Sequence, residues 1–242
     1  MSVQARVINL LEDLRQRLDI TLLFIAHDLS VVRHITDRVA VMYLGEIMEI
    51  GATQDVFESP ANPYTLSLLS AIPGSSRLGP AEGDRLKPQG SPPNPRYPPA
   101  GCPFATRCPV KVRPANAQEL SPAAWEAIER FRGILRERAR AGESLTTAVK
   151  RRLGLAADTE AIGTVVTELF GNVDLPPDAA DSVTAATDRA RSSPADAAAD
   201  LAEEFGSVCD QEGDDIYAVG SGHESRCVRH RDQYESPSDA LE

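Results

Sequence analysis

Residues 21–25, Thr-Leu-Leu-Phe-Ile, are apolar without alternation, and the chain turns polar at His27-Asp28 before a second apolar run opens at Leu29. A strand that is apolar on both faces belongs inside a parallel sheet covered by helices. The run therefore predicts a buried strand over 21–26 in an α/β fold. In such sheets ligands sit beyond the carboxyl ends of the strands. His27 is thus placed at a ligand edge, or else it only caps a buried strand; local pattern favours neither.

The neighbouring segments fit the same class. Val3, Val7, Leu11, Leu14 and Leu18 recur at helical spacing with charge between them, so residues 3–18 predict an amphipathic helix that Asp19 closes. Ser30 offers an N-cap to a helix through Ile35. Arg38–Tyr43 and Ile47–Ile50 predict two strands joined by a turn at Gly45-Glu46. Short helices are expected between Gly51 and Ser59 and over Tyr64–Ala71, stopped by Pro60 and Pro73. Residues 73–101, rich in Pro, Gly and Ser, predict an irregular surface loop.

Beyond residue 115 the pattern is helical. Ser121-Pro122 is a cap followed by a first-turn proline, and Trp125, Ile128, Phe131 and Leu135 form a core stripe that runs to Gly142. Further helices are expected at 145–153, 159–170, 177–190 and 194–205, with Gly154, Gly171 and Gly206 in left-handed caps. The last of these are rich in Ala and Asp, which predicts loose packing or none.

Charge narrows the function. The formal net charge is −11, and no lysine occurs between Asp158 and Asp215. That balance argues against nucleic acid as a partner, because phosphates demand a basic surface. A solvated acidic face, of the kind that keeps a halophile's proteins soluble at high salt, accounts for it. No apolar run approaches the ~18 residues a membrane span requires, and the charged first turns do not read as a signal peptide. The expectation is a cytoplasmic chain.

Several of these segments together resemble the ATP-binding subunits of oligopeptide/dipeptide ABC transporters. The run 21–30 is similar to their switch-histidine region, and Ser2–Leu11 to the helix after their D-loop. Asp37–Gly51 resembles their last two strands, and Asn62–Pro73, including Pro63-Tyr64-Thr65, the start of an extension particular to the peptide branch. Gly101–Pro109 resembles that branch's cysteine motif, and the likeness resumes near Cys209 and at His223-Glu224-Ser225-Arg226-Cys227. The phosphate-cradling G-x-x-x-x-G-K-[ST] loop, the signature and the magnesium-holding acidic strand end do not occur in the sequence.

The resemblance implies the C-terminal part of an ABC-type ATPase domain over residues 1–59 and the peptide-transporter extension over 60–114. A helical acidic insertion follows over 115–206, and the end of the extension occupies 207–242. It implies an energy-coupling subunit of an importer of peptides or related solutes, present as a truncated, split or internally started fragment. Such a subunit uses ATP with Mg2+ and pairs with a second ATP-binding subunit. It works with transmembrane permease subunits, with a peptide-binding protein acting indirectly, and lies on the cytoplasmic side of the membrane.

By this resemblance His27 contacts the γ-phosphate and Asp28 helps orient the loop. His34 reads as a surface histidine. One charge-assisted hydrogen bond contributes on the order of 1–3 kcal/mol, so His27 alone holds no nucleotide and the chain by itself is expected not to hydrolyse ATP. The branch's four cysteines match Cys102, Cys108, Cys209 and Cys227, which implies a [4Fe–4S] cluster. Thiolates suit zinc equally well, and four thiols that merely converge are the third possibility. A stand-alone metal-binding interaction module is the alternative function.

Overall fold

The structure is a computed structural model and describes residues 3–72, 86–90, 92–96, 98–142, 159–213 and 215–241. The helix expected at 145–153 lies outside the described residues, as do Gly154 and residues 73–85, 91 and 97 of the loop expected over 73–101. The chain forms two compact units: residues 1–88, 108–110 and 213–242 in the first, and 89–107 and 111–212 in the second.

The first unit is mixed α/β. Helix α1 (Val3–Leu18) and α2 (Leu29–Ile35) precede strands β1 (Arg38–Tyr43) and β2 (Glu46–Ala52), and α3 (Thr53–Glu58) and α4 (Pro63–Ser70) follow. Two strands from the far end of the chain, β3 (Tyr217–Gly220) and β4 (His223–Ser225), complete a four-stranded sheet in the order β1-β2-β4-β3. Every pairing is antiparallel. The β1–β2 turn is tight, with Leu44 and Gly45 at φ of 50° and 88°, the left-handed pair that matches strand twist in a two-residue hairpin. Val32, Phe57 and Leu69 form a small core here, with Leu29, Val39 and Ile72 against it.

The strand expected at 21–26 does not form. Residues 20–26 carry no ladder, and Leu23 and Ile25 are each 92% exposed. A strand apolar on both faces exists only between neighbours, and among the described residues the sheet that forms is the antiparallel one farther along. The expected cap of α2 also moves by two residues: Asp28, not Ser30, is the N-cap, and its side chain accepts from the Ser30 amide.

The second unit is helical. It contains α5 (Pro122–Gly142), α6 (Thr159–Phe170), α7 (Pro177–Ala190), α8 (Pro194–Phe205) and the single turn α9 (Val208–Gln211). The stripe Trp125, Ile128, Phe131 and Leu135 is buried, and Phe131 meets Phe170 edge-on with centroids 5.9 Å apart. The Ala-rich helices are not loose. Ala179, Val183, Ala186 and Ala190 of α7 and Ala197, Leu201 and Phe205 of α8 all lie in the same core. Alanine costs almost no side-chain entropy on burial, so few large side chains suffice where small ones line both helices.

The glycines after α6 and α8 are not left-handed caps either. Gly206 has φ −68° and ψ 129°, and a Cβ there would stand 2.1 Å from the Ala202 carbonyl oxygen. At Gly171 it would stand 2.5 Å from the Thr167 carbonyl oxygen. Both glycines are required by close approach, not by handedness. Gly206→Ala is expected to lower stability by about 1–3 kcal/mol, as overpacking against fixed backbone does, read as a fall in the denaturation midpoint at unchanged slope.

Candidate functional site

His27 lies on an exposed bend just before α2. Asp28 is committed to the helix start, accepting from the Ser30 amide at 3.1 Å and from the Ser30 hydroxyl. The imidazole is therefore carried at a fixed distance from a capped helix and faces solvent, not aliphatic packing. His34 is exposed on the same helix.

The four cysteines divide between the units. Cys102 and Cys209 belong to the second, where the Cys102 amide donates to the Cys209 carbonyl at 2.9 Å. Cys108 and Cys227 belong to the first. Among the described residues no group of three or more His, Cys, Asp or Glu side chains is arranged to hold a metal ion.

Two buried polar clusters surround these segments. In the first unit Glu49 of β2 has a fully buried side chain that accepts from the amides of Ala61 and Asn62 at 2.7 and 3.1 Å. His223 of β4 brings Nε2 to 2.7 Å from the same carboxylate. Gly51 makes room for that ring, since a Cβ there would lie 2.9 Å from it. Asn62 donates to the carbonyls of Met48 and Arg226, at 3.0 Å each, while its Oδ1 caps α4 by accepting from the Tyr64 amide. The residue that opens the Asn-Pro-Tyr segment therefore grips the backbone immediately before Cys227. Two further bonds hold that turn: Arg229 Nε donates to the Val110 carbonyl, and His230 Nε2 lies 2.9 Å from the Ala61 carbonyl. Burial lowers the His230 pKa against the opposing pull of that carbonyl and of Glu49.

In the second unit Lys111, Glu129, Arg132 and Asp210 form a buried ionic cluster. Lys111 and Arg132 both pair with Glu129. Lys111 Nζ reaches the two Asp210 oxygens at 2.7 and 2.9 Å, and Arg132 Nη2 reaches Oδ2 at 3.0 Å. Burial alone would raise the Asp210 pKa, but Lys111 and Arg132 outweigh it and bring it down to about 2. Asp210 also accepts from the Ser207 amide, completing a capping box whose Ser207 hydroxyl accepts from the Cys209 amide. The cluster thus sets the turn that carries Cys209.

Neither cluster was expected from spacing. A carboxylate within the strand Ile47-Met48-Glu49-Ile50 was the available signal for the first, because a charge among apolar strand residues is buried only when paired. The second joins residues 99 apart in the chain and leaves no local signature.

Comparison with known proteins assigns these segments. Residues 48–114 match the family model described as the oligopeptide/dipeptide transporter, C-terminal region. Residues 122–222 match a domain of unknown function, DUF8228. The chain is 50% identical over 110 residues to the oligopeptide transport ATP-binding protein AppF of Bacillus subtilis, covering 46% of this chain and 33% of that protein. It is 52% identical over 112 residues to a putative peptide import ATP-binding protein of Brucella ovis, covering 46% and 35%. To the oligopeptide transport ATP-binding protein OppF of Salmonella typhimurium it is 46% identical over 114 residues, covering 46% and 33%. The chain thus spans about a third of the length of these relatives. Over the matched stretch the chain is similar to oligopeptide ABC transporter ATP-binding proteins and to the C-terminal region of that transporter family.

Proposed function

We infer that this chain supplies the C-terminal part of the energy-coupling subunit of an ABC importer for peptides or related solutes. The observation that carries the reading is the 50% identity over 110 residues to an oligopeptide transport ATP-binding protein, in a chain whose His27 stands solvent-exposed ahead of a capped helix. In such a subunit ATP with Mg2+ supplies the driving reaction. The part this chain plays is to present the His27 imidazole as a hydrogen-bond donor to the terminal phosphate, with Asp28 holding the helix start. Transmembrane permease subunits and a second ATP-binding subunit are the partners this reading requires. In this reading attachment to the membrane runs through the permease; no described helix is long and apolar enough to cross a membrane.

The chain alone lacks the phosphate-cradling loop. Calorimetry on the purified chain is expected to show no ATP binding at micromolar concentration, because one imidazole contact of ~1–3 kcal/mol falls far short of the ~8 kcal/mol a micromolar complex needs. Micromolar binding would overturn the assignment of the missing contacts to another segment.

The same reading makes Cys102, Cys108, Cys209 and Cys227 ligands of an iron–sulfur cluster, with zinc as the second candidate. The hydrogen bond from the Cys102 amide to the Cys209 carbonyl, which brings two of the four backbones together, supports it. Visible absorbance and metal analysis of anaerobically purified chain separate the outcomes. A thiolate-to-iron band supports the cluster, and a colourless sample with stoichiometric zinc replaces it.

A further inference from the structure

We propose that Cys102 and Cys209 form a redox-responsive disulfide within the helical unit, by exchange with a small-molecule disulfide. The inference goes beyond the reading above and does not depend on it. All four cysteines are thiols in the structure. These two belong to one compact unit, and their backbones touch, the Cys102 amide donating to the Cys209 carbonyl at 2.9 Å. A backbone bond between neighbouring segments sets their α-carbons about 5–6 Å apart, inside the ~4.4–6.8 Å that a disulfide spans. Gly101 permits the approach. A Cβ there would stand 2.6 Å from the Cys209 carbonyl oxygen and 2.7 Å from the Gln211 nitrogen, so a larger residue would push the two segments apart.

Both sides of the contact are fixed. On one side Asp210 is paired with the buried Lys111 and Arg132, and the Ser207 hydroxyl donates to the Val112 carbonyl at 2.6 Å. On the other, the Ala105 amide donates back to the Cys102 carbonyl at 3.0 Å, and Phe104 and Ala105 are buried. A pair already held at bonding span loses little further freedom when it bonds, so the fold favours the disulfide over the same thiols in an open chain. Exposure sets the order of events, because Cys102 is half-buried and Cys209 buried. The Cys102 thiolate attacks the small-molecule disulfide and expels one of its halves as a thiolate. The Cys209 thiolate then attacks the Cys102 sulfur and expels the other, a step within the chain that needs no access from solvent. In sum one S–S bond breaks and one forms. The two protein thiols give up two electrons and two protons, and the small-molecule disulfide becomes two thiols. In reducing surroundings a bond of this kind is transient and reports redox state.

The test takes the full chain, reduced and freed of metal by a chelator, through glutathione buffers of increasing oxidised fraction. Alkylation traps the remaining thiols, and the digest is read by mass spectrometry without reduction. The expected product is the Cys102 peptide joined to the Cys209 peptide in a monomeric chain. It should half-form at a glutathione ratio at least about tenfold more reducing than the same chain needs in denaturant, and it should persist in the double variant Cys108→Ser, Cys227→Ser. Bonding of Cys102 to Cys108 or Cys227 instead overturns the proposal, as do glutathione adducts without the bond, or equal formation in denaturant. Iron content and visible absorbance of the anaerobically purified chain are read separately. A chain that held no iron yet forms the bond sinks the cluster reading and supports the pair. A chain that held iron and forms no bond once stripped keeps the cluster and overturns the pair.

Discussion

Asp210→Ala is expected to destabilise the helical unit by about 3–5 kcal/mol, the cost of leaving buried charges without their partner. Lys111 and Arg132 side chains are each only 3% exposed, and in the variant they would share Glu129 alone. Since whole domains are stable by only about 5–15 kcal/mol, the loss should appear as a large drop in the unit's melting temperature. Acid should reproduce part of it. The folded-state pKa of Asp210 is about 2, below the ordinary 3.8. The folded form therefore binds fewer protons than the unfolded one in that range. The contribution of this carboxylate is complete above pH 3.8 and is lost as pH falls from 3.8 through about 2. Two pKa units correspond to about 2–3 kcal/mol. A denaturant midpoint followed between pH 5 and 2 should fall in the unaltered chain and lose most of that slope in Asp210→Asn. An unchanged acid limb in the variant would show that another group governs it.

Glu49→Ala is the counterpart in the sheet unit, with an expected loss of about 3–5 kcal/mol. One carboxylate answers the amides of Ala61 and Asn62 and the ring of His223. Its removal orphans two buried donors, the Asn62 amide and the His223 ring, and the part-buried Ala61 amide, and each unsatisfied buried donor costs about 1–3 kcal/mol. The damage should be local. The β2–β4 ladder consists of the pairs Glu49↔Ser225 and Ile50↔Glu224, so losing the His223 anchor should release β3 and β4 together. Amide exchange over Tyr217–Ser225 is expected to accelerate more than in β1, which keeps its long pairing with β2. Glu49→Gln, which keeps an acceptor oxygen, should recover part of the protection. Uniform acceleration across all four strands would mean that the sheet opens as one piece.

The legible parts of this chain were those written in local pattern. The β1–β2 hairpin, the Trp125 stripe and the helices over 159–170, 177–190 and 194–205 fall where periodicity and turn residues place them. The run at 21–25 was misread. Its composition demands a strand, but a strand is a property of neighbours, and here the segment stands bare. The Ala-rich helices were misjudged because packing depends on how closely facing surfaces approach, and not on the size of the side chains alone. His27, proposed for the site, was singled out by its place after an apolar run. The partners that set the cysteine-bearing turns, Asp210 under Cys209 and Asn62 before Cys227, were not. The contacts that fix those partners span 99 residues between Lys111 and Asp210 and 164 between Asn62 and Arg226, and no window of sequence contains both ends.

The order β1-β2-β4-β3 has a consequence for the newly made chain. Glu49 leaves the ribosome 174 residues before His223 does. At translation speeds of about 5–20 residues per second, the inner edge of β2 waits roughly 10–35 s for its partner. During that interval it is an unpaired strand edge, open to any passing extended segment. A message cut short anywhere in the helical region would make that condition permanent.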